Sequence, residues 1–160
     1  MLEYNICIGI MEGRKIYMYY SEMVKKAVNV MFEAHKEDFD KGGYPYVFHP
    51  FYLATKVEGE NETCVALLHD VIEDHGDKYS FEYLEKEGFN NEIIEALRLL
   101  THKKEISYME YIAKISKNNI AKAVKIEDLR HNLDIRRTSG EKAKKYDIYV
   151  KALEFLEKGE

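Results

Sequence analysis

From Ser21 onward, apolar positions recur at the 3.6-residue period of helices, interrupted by glycines, asparagines and serines of the kind that start or stop them. Ser21 reads as an N-cap, with Val24, Ala27, Val28, Met31, Phe32 and His35 following on one face. That helix is expected to fade near Phe39, where Asp40-Lys41-Gly42-Gly43 breaks the pattern. Pro45 and Pro50 bracket a stiff stretch. Pro50 is expected at the first position of a helix that carries Phe51, Leu53, Ala54 and Val57 and ends at Gly59. A central helix is expected over 62–74, with Val65, Leu68 and Ile72 on one stripe. Ser80 caps a short helix that Gly88 stops. Further helices are expected over 91–100, from Ser107 to about Ser116, over 120–133, and after Gly140, where Tyr146, Tyr149, Val150, Leu153 and Leu156 pack inward. The pattern predicts an all-α single domain of about seven to eight helices over 19–160. Residues 1–18 do not share the period and read as an N-terminal extension, in which Ile6, Ile8 and Ile10 alternate as in a short strand.

Composition narrows the class. The chain has 160 residues, 46% of them hydrophobic, with two prolines and no tryptophan, which suits one helical domain with a sizeable core. A net charge of −5 gives no electrostatic footprint for nucleic acid. Cys7 and Cys64 lack partners at metal-ligand spacing, so a reduced, cytoplasmic protein is expected. No run approaches the ~18 apolar residues of a membrane span. Glu3 and Glu12 flank the first apolar stretch, which therefore does not look like a signal peptide. Self-association into a homo-oligomer is left open.

The candidate chemistry is concentrated in residues 64–75, where an apolar run ends in His69, Asp70, Glu73 and Asp74. Burying the flanks of such a cluster is costly unless its charges are paired or hold an ion. His49, His69, Asp70 and Asp128 could converge into a set of two imidazoles and two carboxylates. That set suits Mn²⁺, Fe²⁺ or Zn²⁺ better than Ca²⁺ or Mg²⁺, which prefer oxygen alone. Glu73 lies one turn from His69 and Asp70, within reach of a metal-bound water. Each residue also has a plainer reading. His49 beside Pro50 could close a turn, and Asp128 could pair with Lys125 or Arg130. His35 reads as a core or supporting histidine, His75, His102 and His131 as surface or pocket-rim groups, and the Lys and Glu pairs of 141–160 as a solvated helix face.

Three longer patterns carry a resemblance. Ala34-His35, Lys41-Gly42-Gly43 and Pro45-Tyr46, leading to His49-Pro50, resemble the first motif of the HD-domain hydrolases, and more narrowly of the RelA/SpoT-type guanosine polyphosphate hydrolase domain. Ala66-Leu67-Leu68-His69-Asp70-Val71-Ile72-Glu73-Asp74 is similar to the central motif of that family, and Val124-Lys125-Ile126-Glu127-Asp128-Leu129-Arg130-His131-Asn132 to its last. The resemblance covers about residues 22–155. It implies that His49, His69, Asp70 and Asp128 hold Mn²⁺, with Fe²⁺ or Zn²⁺ as alternatives. It implies that Glu73 and Asp74 handle the attacking water and proton transfer, and that Lys41, Tyr46, Lys125 and Asn132 face the nucleotide. The implied reaction removes the 3′-pyrophosphate of ppGpp or pppGpp, as in the stringent response. The alternatives are another nucleotide or phosphate ester, or a nucleotide sensor without turnover. Asp40 departs from the family, which usually has Arg before the lysine, and a carboxylate there is expected to repel a polyphosphate.

Overall fold

The run from Thr63 to Leu68 is buried at every position, and its Thr-Cys-Val-Ala-Leu-Leu sequence has no charged face for solvent. A helix that is apolar all round sits inside its neighbours. In the computed structural model, which describes residues 4–11, 14–103, 105–138, 140, 142 and 144–158, this helix is α3 (Glu60–Leu68), and the fold is built around it. It packs against α1 (Glu22–His35), α2 (Phe48–Ala54), α6 (Asn91–Leu100) and α8 (Asn119–Leu133). Four further helices complete the set: α4 (Val71–His75), α5 (Phe81–Lys86), α7 (Tyr108–Ile115) and α9 (Tyr146–Lys158). A 3-10 turn follows α8 at Ile135–Thr138.

Five helices begin where a side-chain oxygen accepts an otherwise unpaired backbone N–H. Ser21 accepts from Val24 at 3.1 Å, Ser80 from Tyr83 at 3.2 Å, Asn90 from Ile93 at 3.0 Å and Asn118 from Ala121 at 2.9 Å. Ser107 and Glu110 form a reciprocal capping box. Each such cap contributes roughly 1 kcal/mol.

Residues 4–20 form an antiparallel hairpin of β1 (Tyr4–Met11) and β2 (Arg14–Tyr20), and β2 lies against α1 and α3. The strand expected around Ile6 to Ile10 is present, and the core is all-α. Cys64 is buried and unpaired, while the side chain of Cys7 lies outside the described residues.

Several expected boundaries move, each for a local reason. The helix expected over 62–74 is two helices, so nine α-helices stand among the described residues. The break falls at His69-Asp70, where the His69 ring, rather than the next backbone amide, donates from Nδ1 to the Ala66 carbonyl at 2.9 Å. α1 stops at His35 instead of Phe39, because the following turn folds back into a Phe39–Pro45 bridge. Pro50 is the third residue of α2, still inside the first turn, where its missing N–H costs nothing. Gly59 does not end α2. It stands at the start of α3 with φ +97°, where a Cβ would lie 2.5 Å from Glu62 Oε2.

Candidate active site

The joint between α3 and α4 delivers His69 and Asp70 to one point, α2 brings His49, and α8 brings Asp128. His49 Nε2 lies 3.3 Å from His69 Nε2 and 3.3 Å from Asp128 Oδ1. Asp70 Oδ2 lies 2.9 Å from His69 Nε2 and 4.0 Å from His49 Nε2. His49, His69 and Asp70 offer three ligand atoms all within 4.8 Å of one another. Asp128 approaches through His49, its carboxylate also accepting from Lys125 Nζ at 2.8 Å and Asn132 Nδ2 at 2.6 Å.

The imidazoles are oriented from behind. The Nδ1–H bond of His69 to Ala66 turns its Nε2 toward the cluster. His49 is held through Nδ1, 2.6 Å from Nδ1 of His131, whose ring stacks on it and on Tyr52. A backbone or side-chain partner on the far nitrogen is how metal-binding histidines are commonly fixed. The Tyr46 hydroxyl donates to Asp70. Two Nε2 atoms facing each other between two carboxylates form a donor set that fits a divalent cation.

The electrostatics follow from burial and proximity. Burial pulls His69 down, but Asp70 and Asp128 outweigh it and raise it to about 9. Burial pushes Asp70 and Asp128 up, yet His69 for the first and Lys125 with His49 for the second hold both below the usual carboxylate range. Burial, His49 and Arg137 lower His131 to about 3, so it stands neutral behind His49. Asp74 is raised to about 6 by burial and by the charges of Asp70 and Glu73.

A polar cavity of about 170 Å³ opens on this cluster. His69, Asp70, Asp128 and Glu73 line it together with His102, Lys125, Asn132 and Lys145. Tyr108, Tyr111 and Tyr149 complete most of the wall. The Tyr108 hydroxyl is buried there beside Lys125, without a hydrogen bond of ordinary geometry.

No family model matches the chain. A solved structure of a metazoan ortholog of SpoT, described as hydrolysing ppGpp and playing a role in starvation responses, shares the fold with a TM-score of 0.68 over 85% of each chain, at 25% identity. The chain is similar to RelA/SpoT-type proteins in fold and in sequence. A chloroplastic protein of Oryza sativa subsp. japonica, named as a GTP diphosphokinase, RSH1, is 30% identical over 112 residues. That match takes in 67% of this chain and 12% of the rice protein, so the chain spans about an eighth of that relative's length. The likeness to an HD hydrolase implies a divalent metal, and the described residues include His and Asp groups able to hold one. No helix among the described residues is long and apolar enough to cross a membrane.

The HD motif residues expected from the sequence fall into two groups. His49, His69, Asp70 and Asp128 meet, and Glu73, Lys125 and Asn132 line the cavity beside them. Glu73 Oε2 is anchored by the His102 backbone N–H at 3.0 Å. Lys41, Tyr46 and Asp74 are not among the cavity-lining residues. Lys41 is exposed in the turn after α1, and Tyr46 is spent on Asp70. Asp40 does not face the cavity as a bare carboxylate either. It accepts from the amides of Gly42 at 2.8 Å and Tyr44 at 3.0 Å, and from Arg137 Nη2 at 3.0 Å. His131 is more than a rim group, and Lys145, exposed as expected of 141–160, also borders the cavity. From the sequence Tyr149 is expected only as an inward-packing core residue, and Tyr108 and Tyr111 carry no site signal, because their spacing on α7 and α9 is that of ordinary core aromatics. The only sequence signal is that their hydroxyls make them costly core residues without a partner.

Proposed function

We propose that this chain is a metal-dependent phosphohydrolase that removes the 3′-pyrophosphate of ppGpp or pppGpp, giving GDP or GTP and pyrophosphate. The observation that carries the reading is the convergence of His49, His69, Asp70 and Asp128 beside a cavity that also presents Lys125 and Lys145. These four residues would hold the ion, with Mn²⁺ the leading candidate and Fe²⁺ or Zn²⁺ the alternatives. A bound divalent ion supplies a water that ionises near neutral pH and a polarised phosphoryl oxygen.

The remaining steps belong to the chain. Tyr46 and His131 fix Asp70 and His49 from behind. Lys125, Lys145, Asn132 and the Tyr108 hydroxyl receive phosphate oxygens, with charge-assisted bonds from the two ammonium groups. Glu73, anchored by the His102 amide, takes the proton of the attacking water as the new P–O bond forms. The bond from phosphorus to the 3′-oxygen breaks, and Asp74, next to Glu73 but outside the cavity lining, is the acid assigned to return a proton to that oxygen. Lys41, on its exposed turn, meets the nucleotide from outside the cavity.

The test is a nucleotide panel assayed with Mn²⁺, Fe²⁺ and Zn²⁺, measuring pyrophosphate and orthophosphate separately. Pyrophosphate released from ppGpp, with GDP as co-product, is the expected result. Orthophosphate alone, turnover of a different nucleotide only, or tight nucleotide binding without turnover would overturn it.

A further inference from the structure

At the far end of α4 from His69 and Asp70, a second pair of imidazoles meets a carboxylate. His35 is the last residue of α1, Asp38 lies in the turn that follows, and His75 is the last residue of α4. His35 Nδ1 is 2.8 Å and His75 Nε2 is 2.6 Å from the same oxygen, Asp38 Oδ2. One ligand atom from each residue lies within 4.8 Å of the others. None of the three lines the active-site cavity, and the mechanism above uses none of them.

The arrangement has the features of a site with one closed side and one open side. The His35 side chain is 1% exposed, which fixes one donor in the packed interior. Asp38 and His75 are 35% and 26% exposed, which leaves room for water to complete a coordination shell. Two imidazole nitrogens and one carboxylate oxygen, from the end of α1 with its following turn and from the end of α4, are the protein ligands of an open, borderline-metal site. We infer that His35, Asp38 and His75 form a second divalent-cation site, of Zn²⁺ class, separate from the one at His49, His69, Asp70 and Asp128. On binding, each neutral imidazole ligates through the nitrogen that now faces Asp38 and carries its single proton on the other ring nitrogen, so the ion takes the place of the two bridging N–H protons without ionising either ring. Ligand bonds of about 2.0–2.1 Å in a tetrahedron put neighbouring donors about 3.3 Å apart. The site therefore opens by about half an ångström, which the half-exposed Asp38 can supply. Occupied, it clips the end of α1 to the end of α4, with the His35 ring 4.8 Å from the Tyr46 ring that serves Asp70.

The experiment is metal stoichiometry on the full chain, stripped with chelator and dialysed against micromolar Zn²⁺, with Co²⁺ substitution read by its visible spectrum. Wild type is expected to hold two ions. His75→Gln and Asp38→Asn should each hold one, and that ion should be lost on adding Asp70→Asn. Circular dichroism confirms that both variants remain folded; Asp38, on the half-exposed turn, is the milder change. A single ion that Asp70→Asn removes and His75→Gln does not would overturn the inference, as would two ions retained in both His75→Gln and Asp38→Asn. A single ion lost in His75→Gln but kept in Asp70→Asn would uphold it and instead sink the metal assignment of the active site.

Discussion

Replacing Asp128 by alanine removes more than a metal ligand. Asp128 and Lys125 pair at 2.8 Å on successive turns of α8, with side chains only 8% and 13% exposed. Burial opposes both charges, and each is stabilised by the other: Lys125 is held well above its usual range and Asp128 well below. In Asp128→Ala the ammonium stays buried without its counter-ion, at a cost of about 3–5 kcal/mol. The Tyr111 ring, 5.4 Å from Lys125 Nζ, offsets up to about 1 kcal/mol of that. The metal-free variant should therefore lose about 2–4 kcal/mol, or about 4–16 °C in Tm for a chain of this size. Lys125→Met in the same background removes the stranded charge. The double variant should then recover most of the loss, with a coupling energy of at least about 2 kcal/mol. Urea unfolding of the four chelator-treated proteins closes the cycle. Additive losses, with coupling below about 0.5 kcal/mol, would refute the buried-pair reasoning.

Glu73→Gln keeps an acceptor for the His102 amide, so metal content and Tm should hold while kcat falls by roughly 10²–10⁴, the usual worth of general acid-base catalysis; unchanged turnover would remove Glu73 from the mechanism. In metal-free protein, His69 is raised to about 9. Its contribution to stability is fully present below the unfolded value near 6.5 and is lost as pH rises through about 9. Denaturant melts across that window should show a decline on the order of a few kcal/mol that His69→Asn abolishes. Because Asp40 is tied to two amides and Arg137, Asp40→Arg should lower stability by about 1–3 kcal/mol and leave the KM for ppGpp no better; a lowered KM at unchanged Tm would show that Asp40 does repel substrate.

Helix starts were the most legible feature of the sequence, because a cap is a local interaction between residues three apart. Ser21, Ser80 and Ser107 all stand where the pattern predicts them. Helix ends were less legible, because they depend on where the chain goes next. α1 stops four residues early owing to a bridge between Phe39 and Pro45, and nothing in the helical period encodes that bridge. The central helix fails as one element for a chemical reason. Periodicity treats His69 as one more polar position, whereas its ring competes for the Ala66 carbonyl and ends the ladder.

The same distinction governs the site. His49, His69, Asp70 and Asp128 were legible as donor types, since two imidazoles and two carboxylates form a recognisable set wherever they lie in the chain. Their partners were not, because partners come from distant segments. His131 reaches His49 across 82 positions, and Arg137 reaches Asp40 across 97. Asp40 shows what this does to an electrostatic argument. Taken alone, a carboxylate beside Lys41 subtracts charge from a phosphate site. In the fold, Arg137 and two backbone amides surround it, and they outweigh its burial to hold it ionised below its usual range. The guanidinium also donates to the His131 carbonyl at 3.0 Å, so the turn carrying Lys41 is fastened to the end of the helix that supplies Asp128. The net charge of this corner is thus set by the pair, and the acidic residue serves to hold the turn in place. The sign of a single side chain in a loop says little about the potential at a site until the residue that neutralises it is known.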